Sequence, residues 1–180
     1  MGIMERVKVF IDNSNMYKCL AELYSSDRRW VKQYDPLFLS KVLAGDRKLM
    51  GINFYCTNPP LEMFYRNKKM YWSQVNYYHK VEELEYIKVF YGNLTKNKDK
   101  YFEKNLDTQM AVDIVKETYL NQFDTLILAS SDGDFESSVR LARDMGKRVE
   151  VLFFEKHFSS NLKRVSDINR RARISYFRKI

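Results

Sequence analysis

The segment Thr125-Leu-Ile-Leu-Ala129 is apolar almost throughout, on both of the faces that alternate along a strand. Such a strand is stable only where both faces are covered, as in a parallel sheet packed between helices. Residues 7–11, 51–56, 86–91 and 149–154 share its short, apolar, largely β-branched or aromatic character and read as further strands. Between them, spacing and caps predict helices over residues 15–24, 35–44, 61–84, 107–119 and 135–145. Asp35-Pro36 supplies a cap and a first-turn proline, and Gly146 a C-terminal stop. In the long 61–84 segment Met63, Met70, Tyr77 and Leu84 recur every seven residues, a stripe broad enough to bury. Strands alternating with helices imply right-handed crossovers and an α/β fold with a mainly parallel central sheet. Ligands of such sheets bind beyond the carboxyl ends of the strands.

At 180 residues, with 45% hydrophobic and 30% charged side chains, the chain suits a single domain over 1–180 with a substantial core. Cys19 and Cys56 lie in unrelated contexts, without CxxC or Cys/His clustering, so neither a disulfide framework nor a zinc site is indicated. A reducing, cytoplasmic setting is the default expectation. No stretch has the length and apolarity of a membrane span or a signal core, so no membrane partner is expected.

Asp12, Asp107, Asp132 and Asp134 stand where predicted strands end or helices begin. Asp12 follows the first strand, and Asp132 and Asp134 follow the fourth, so the topology puts three acids at one sheet edge. Asp107 joins them if its helix begins there. Two bare carboxylates about 4 Å apart repel by about 4 kcal/mol at an effective dielectric near 20. A divalent cation relieves that repulsion, and the hard ions Mg²⁺ and Mn²⁺ prefer such oxygen ligands. The bound ion would activate a water and neutralise charge on a phosphoryl oxygen. Asn15 and Ser130 are suited to orient a carboxylate or water, and Lys104 to meet phosphate. Asp113 is either a supporting acid or part of a solvated stripe with Gln109 and Lys116. Each aspartate has a structural alternative as an Asx turn or helix cap. Four acids at one edge, however, bring no structural gain.

Neither a G-x-G-x-x-G nor a G-x-x-x-x-G-K-[ST] is present, which leaves dinucleotide and P-loop sites unsupported. A haloacid-dehalogenase-type phosphatase would want an acid where Ser14 stands. His79 and His157 are isolated and read as surface or packing residues.

Of the formal net charge of +8, +7 resides in residues 156–180, a basic segment expected to pack on the domain or extend from it. It suits either a polyanion or plain solvation. Lys163, Arg164, Arg170 and Arg171 are its candidate nucleic-acid contacts. The run Phe64-Tyr-Arg66-Asn-Lys68-Lys69-Met-Tyr71-Trp72 interleaves aromatic and basic side chains, a combination that stacks unpaired bases and tracks phosphates. Half of these aromatics are expected in the core, with Arg66, Lys68 and Lys69 facing the substrate.

The chain resembles the NYN domain, in its LabA/DUF88 branch, a subgroup of the PIN-like nucleases. The resemblance rests on Phe10-Ile-Asp12-Asn-Ser-Asn15, on Lys104-Asn-Leu-Asp107 through Asp113, and on Asp124-Thr-Leu-Ile-Leu-Ala-Ser130-Ser-Asp132-Gly-Asp134-Phe135, followed by Gly146-Lys-Arg-Val149. It implies a Rossmann-like, PIN-like three-layer sandwich and a metal-dependent ribonuclease using Mg²⁺ or Mn²⁺. Asp12, Asp107, Asp132 and Asp134 would be its metal ligands and catalytic acids, with Asn15 and Asp113 in support and RNA ahead of DNA as partner. Two departures bear on loop shape: Ser131 stands where family members often have glycine, and Asn105 where Lys-Gly-x-Asp is common. The alternatives are a non-catalytic nucleic-acid or protein interaction module and, behind it, a small-molecule phosphatase.

Overall fold

The computed structural model describes residues 4–24, 26, 33–97, 100–154 and 157–180, with backbone alone over 93–97 and 100–104. In chain order these form β1 (Arg6–Asp12), α1 (Asn13–Tyr24), α2 (Pro36–Ala44), β2 (Lys48–Thr57), α3 (Leu61–Arg66) and α4 (Lys68–Glu82). There follow β3 (Ile87–Asn97), β4 (Lys100–Lys104), α5 (Leu106–Tyr119), β5 (Thr125–Ala129) and a 3-10 turn, Gly133–Phe135. The remainder is α6 (Glu136–Asp144), β6 (Arg148–Phe153), α7 (Ser160–Val165) and β7 (Ile168–Arg171). The sheet order is β4-β3-β2-β1-β5-β6-β7. Among the described residues six strands run parallel and β4 alone is antiparallel. From β1 the chain builds outward to β2 on one side and later to β5 on the other, so the topological switch lies between β1 and β5.

Strand alternation divides the core into two layers. Val9 and Ile11 of β1 pack with Phe54, Cys56, Ile127 and Ala129 beneath α1, α2 and α4. Phe10 faces the other way, with Leu126, Leu128 and Val151 beneath α5, α6 and α7. All five residues of β5 are buried, as its sequence requires. Helices therefore cover both faces of a parallel sheet, the expected three-layer sandwich. Asp35 accepts a hydrogen bond from the Phe38 amide at 2.9 Å and caps α2, with Pro36 in its first turn. No helix among the described residues is long and apolar enough to cross a membrane.

Two expectations need correction. The 61–84 helix is two helices, because Asn67 leaves helical geometry (φ −155°, ψ 85°) and its side chain caps α4 by accepting from the Met70 amide at 3.0 Å. The Lys-rich stretch after the third strand, which the sequence leads one to expect as a loop ending near Lys104, is a β-hairpin in which β3 runs on to Asn97 and β4 returns from Lys100. The basic segment contributes α7 and then β7, which pairs with β6 from Glu150↔Ile168 to Phe153↔Arg171.

Candidate active site at the carboxyl edge of the sheet

Asp12 is the last residue of β1 and only 5% exposed. Its Oδ1 accepts the Asn15 amide at 3.0 Å, which caps the first turn of α1, and its Oδ2 accepts the Ser130 hydroxyl at 3.0 Å. Ser130 is fully buried just past β5, and its Oγ in turn accepts the Asp132 amide at 3.1 Å. A second tie runs parallel to the first, where Asn15 Oδ1 accepts the Ser131 amide at 3.0 Å. Asp132 Oδ1 then accepts the Asp134 amide at 3.0 Å and shapes the 3-10 turn. β1 and β5 diverge in connectivity at this point, so these side chains hold the two strand ends together. Ser131 also accepts the Phe154 amide through Oγ at 3.3 Å, which links β6 to the same junction.

The β3–β4 hairpin brings Asp107 to this edge. Lys104, the end of β4, pairs with Asn93, next to Gly92, which pairs with Thr57 at the end of β2. Leu106 packs against Gly92 so closely that a Cβ there would lie 3.1 Å from the leucine Cβ. The helix α5 therefore starts at the carboxyl edge, touching both β1 and the 3-10 turn. Asp107 lies exposed in its first turn, where the helix N-terminus favours an acid. Asn105, just before α5, has φ 69° and ψ 0°, a left-handed conformation that asparagine tolerates better than most side chains. The family's glycine is thus replaced by a residue that fits the same backbone.

Asp12, Asp132, Asp134 and Asp107 consequently share one edge, ranging from buried to exposed. Among the described residues no group of three or more His, Cys, Asp or Glu side chains is arranged to hold a metal ion. Donor chemistry nevertheless fits Mg²⁺ or Mn²⁺: every candidate ligand is a carboxylate oxygen, and these ions take one or two carboxylates, with water and substrate phosphate in the other positions. The side chain of Lys104 lies outside the described residues.

Asp113 is buried and belongs to an inward-facing polar ladder, not to a solvated stripe. Its oxygens accept the Tyr55 hydroxyl at 2.9 Å and the Gln109 amide at 3.0 Å. One turn on, Glu117 accepts from Asn53 at 2.7 Å and pairs with Lys8 at 3.3 Å. β1 and β2 present polar side chains to this stretch of α5, and that is why its polar face turns inward. Deprotonating the Tyr55 phenol is strongly opposed, first by burial and then by the Asp113 charge.

Arg66, Lys68 and Lys69 are exposed, and the aromatics around them are not core residues. Phe64, Tyr65, Tyr71 and Trp72 form an edge-to-face cluster at the surface, with Tyr65 78% and Trp72 52% exposed and Lys68 Nζ 5.1 Å from the Phe64 ring. Lys163 and Arg164 are exposed on α7, where Arg164 is 3.2 Å from Asn161. Arg171 ends β7 level with the end of β6 and is exposed at the carboxyl edge. Arg170 is committed elsewhere: its Nε donates to Glu150 at 2.7 Å, and Arg47 holds the same carboxylate at 2.7 and 3.2 Å. Glu150 is only 1% exposed, and its pairing with Arg47 lies toward the amino edge, away from the aspartates.

Sequence reasoning missed Glu150, which reads as an outward residue of a strand, and it missed a cavity beside Asn13. It also left Cys19 without a role. That thiol is buried and pushed up to about 11, by burial first and then by Glu22, so it is no nucleophile at neutral pH.

A family model described as NYN domain matches residues 6–169. The Low amplitude and bright protein LabA of Synechococcus elongatus is 24% identical over 174 residues, covering 90% of this chain and 81% of that protein. The uncharacterized protein MJ0482 of Methanocaldococcus jannaschii is 33% identical over 63 residues, which is 35% of this chain and 26% of that protein. Among solved structures, the crystal structure of VPA0982 from Vibrio parahaemolyticus, a protein of unknown function, superposes with a TM-score of 0.74 at 19% identity, covering 99% of this chain and 100% of that one. That likeness establishes the fold.

Proposed function

The chain belongs to the NYN domain family, whose members are generally nucleases, and on that premise we propose that it is a Mg²⁺- or Mn²⁺-dependent ribonuclease hydrolysing phosphodiester bonds at the carboxyl-edge aspartates. The observation that carries this reading is that Ser130 donates to the Asp12 carboxylate and accepts the Asp132 backbone amide, which ties the loop after β5 to the acid at the end of β1 across the switch point. Asp12, Asp107, Asp132 and Asp134 would hold the metal, which when bound supplies an activated water and neutralises phosphoryl charge.

The chain's own residues divide the remaining work. Ser130 and the Asn15 amide orient Asp12, and Asn15 also fixes the Ser131 backbone, so the two loops keep one spacing. Arg171 at the carboxyl edge, Lys163 and Arg164 on α7, and Lys104 would attract and track the RNA backbone. Asp113 supports the edge from below through Tyr55 and Gln109.

The test is cleavage of labelled single-stranded RNA and DNA with Mn²⁺, with chelator, and by the Asp12→Asn and Asp132→Asn variants. RNA cleavage that needs the metal and disappears in both variants is the expected result. Activity surviving either substitution sinks the assignment, and binding without turnover favours the interaction module.

A further inference from the structure

A cavity of about 200 Å³ opens beside the first turn of α1. Its walls include Asn13 and Tyr17 of α1, Gln33, Met63 of α3, and Met70 and Gln74 of α4. Asn13 directly follows Asp12, and consecutive Cα atoms are about 3.8 Å apart, so the cavity wall and the buried carboxylate belong to one turn of chain. We propose that this cavity is a nucleobase site, taking one unpaired base from the nucleotide next to the phosphate held at the Asp12 edge. The proposal rests on the reading of that edge as a phosphodiester-cleaving site.

Size sets the ligand. Sites for drug-sized molecules run from about 300 to 1,000 Å³, so this cavity takes a single flat ring system and excludes a base pair. Its chemistry agrees. Met63, Met70 and the Tyr17 ring offer polarizable, apolar surface to a base, while amides supply hydrogen bonds to its edge. Asn13 is only 6% exposed and lines the cavity, so its wall carries an amide that can both donate and accept. Gln33 is pre-oriented, since its Nε2 donates to the Ser73 carbonyl at 2.7 Å and to the Ser73 hydroxyl at 2.9 Å. A carbonyl only accepts, so the amide cannot be reversed, and Oε1 is the atom left to accept from a ligand.

The surroundings favour a polymer over a free heterocycle. The helices that wall the cavity also carry the exposed cluster of Phe64, Tyr65, Tyr71 and Trp72 with Arg66, Lys68 and Lys69. Aromatic rings between cations suit a single strand whose bases stack while its phosphates are neutralised. A strand anchored by one base beside Asp12 therefore continues over α3 and α4.

The experiment measures binding of the full chain to a short labelled RNA in chelator, where turnover cannot interfere. The ligands are the single strand, its duplex, and the same strand with abasic nucleotides. Wild type should bind the single strand at least about 10-fold more tightly than either of the others, the scale of losing base stacking. Met70→Trp, at a half-exposed position that does not endanger folding, fills the cavity and should erase most of that advantage. Asn13→Ala should weaken the intact strand and leave the abasic strand unaffected. Equal affinity of wild type and Met70→Trp for the single strand overturns the proposal, as does equal binding of single strand and duplex. Both outcomes are read without cleavage, so a chain that binds in this pattern but never cuts keeps the base site and loses the nuclease reading.

Discussion

Ser130 donates its hydroxyl to Oδ2 of Asp12 at 3.0 Å, and with that bond the end of β5 fixes the orientation of an acid at the end of β1. The same oxygen accepts the Asp132 amide, so one hydroxyl serves both strand ends. Ser130→Ala should lower kcat/KM on labelled RNA by about 10–100-fold, as loss of a partner to a metal-ligating group does. The cost in stability should be only about 1–3 kcal/mol, from leaving buried groups unsatisfied. Cleavage rates and thermal melts on one preparation check this, and unchanged cleavage with lowered stability would confine Ser130 to a structural role.

Asn105 sets where α5 begins. Because its backbone is left-handed, Asn105→Gly should be close to neutral, whereas Asn105→Val should cost about 1–2 kcal/mol. Denaturant midpoints of the two variants measure the difference. Equal midpoints would mean that the hairpin exit adapts to either backbone.

Glu150 is a buried charge shared by Arg47 and Arg170. Arg47→Met removes the partner that makes two of the hydrogen bonds to Glu150 and should destabilise by about 3 kcal/mol, since a buried carboxylate is left undercompensated. Cleavage by the fraction that remains folded should be unchanged, because this network lies away from the aspartates. Urea unfolding alongside activity at low temperature separates the two effects.

Asp124 accepts the Arg6 amide at 2.8 Å and the Arg6 guanidinium at 2.8 Å. These Arg6 hydrogen bonds hold its carboxyl down at about 2, below the ordinary 3.8. A carboxyl depressed by folding stabilises above its unfolded value, and that contribution disappears as pH falls through the folded one. The stability difference between wild type and Asp124→Asn should therefore be constant above about pH 4 and close toward pH 2. It should also be small, because both side chains are about a third exposed and screened by solvent. Unfolding free energies between pH 2 and 6 test the window, and a difference that grows on acidification contradicts it.

Tyr34 is buried, with its ring edge-on to Phe177, and among the described residues its hydroxyl has no hydrogen-bond partner. Tyr34→Phe keeps the ring and removes the stranded group, so it should stabilise by about 1 kcal/mol. A lowered melting temperature would mean that the hydroxyl is satisfied in solution.

The parts of this fold legible in the sequence are those decided by short-range pattern. β5 could be read because a five-residue strand that is apolar after its first threonine admits little else, and Asp12, Asp132 and Asp134 because strand ends in a parallel sheet share an edge. Asp107 needed the β3–β4 hairpin to settle it, and a Lys-rich stretch conceals the alternation of that hairpin. Helical period put Asp113 and Gln109 on one face but could not say what lay opposite; Asn53 and Tyr55 make that face an inner one. Arg170 and Arg171 are neighbours in a basic run, yet strand alternation sends them to different tasks. The cavity draws on α1, Gln33, α3 and α4, which no local pattern connects.

The position of β7 at the margin of the sheet has one further consequence. An outermost strand presents unpaired amides and carbonyls to which a strand of another molecule can add. Ile168-Asn-Arg-Arg171 is short and half cationic, and the opposite margin, β4, begins and ends in lysine. The exposed Arg171 makes self-association at the β7 margin unfavourable, so a basic residue there also guards against aggregation. Neutralising Arg171 should be judged first by whether the protein stays monodisperse, and only then by what it binds.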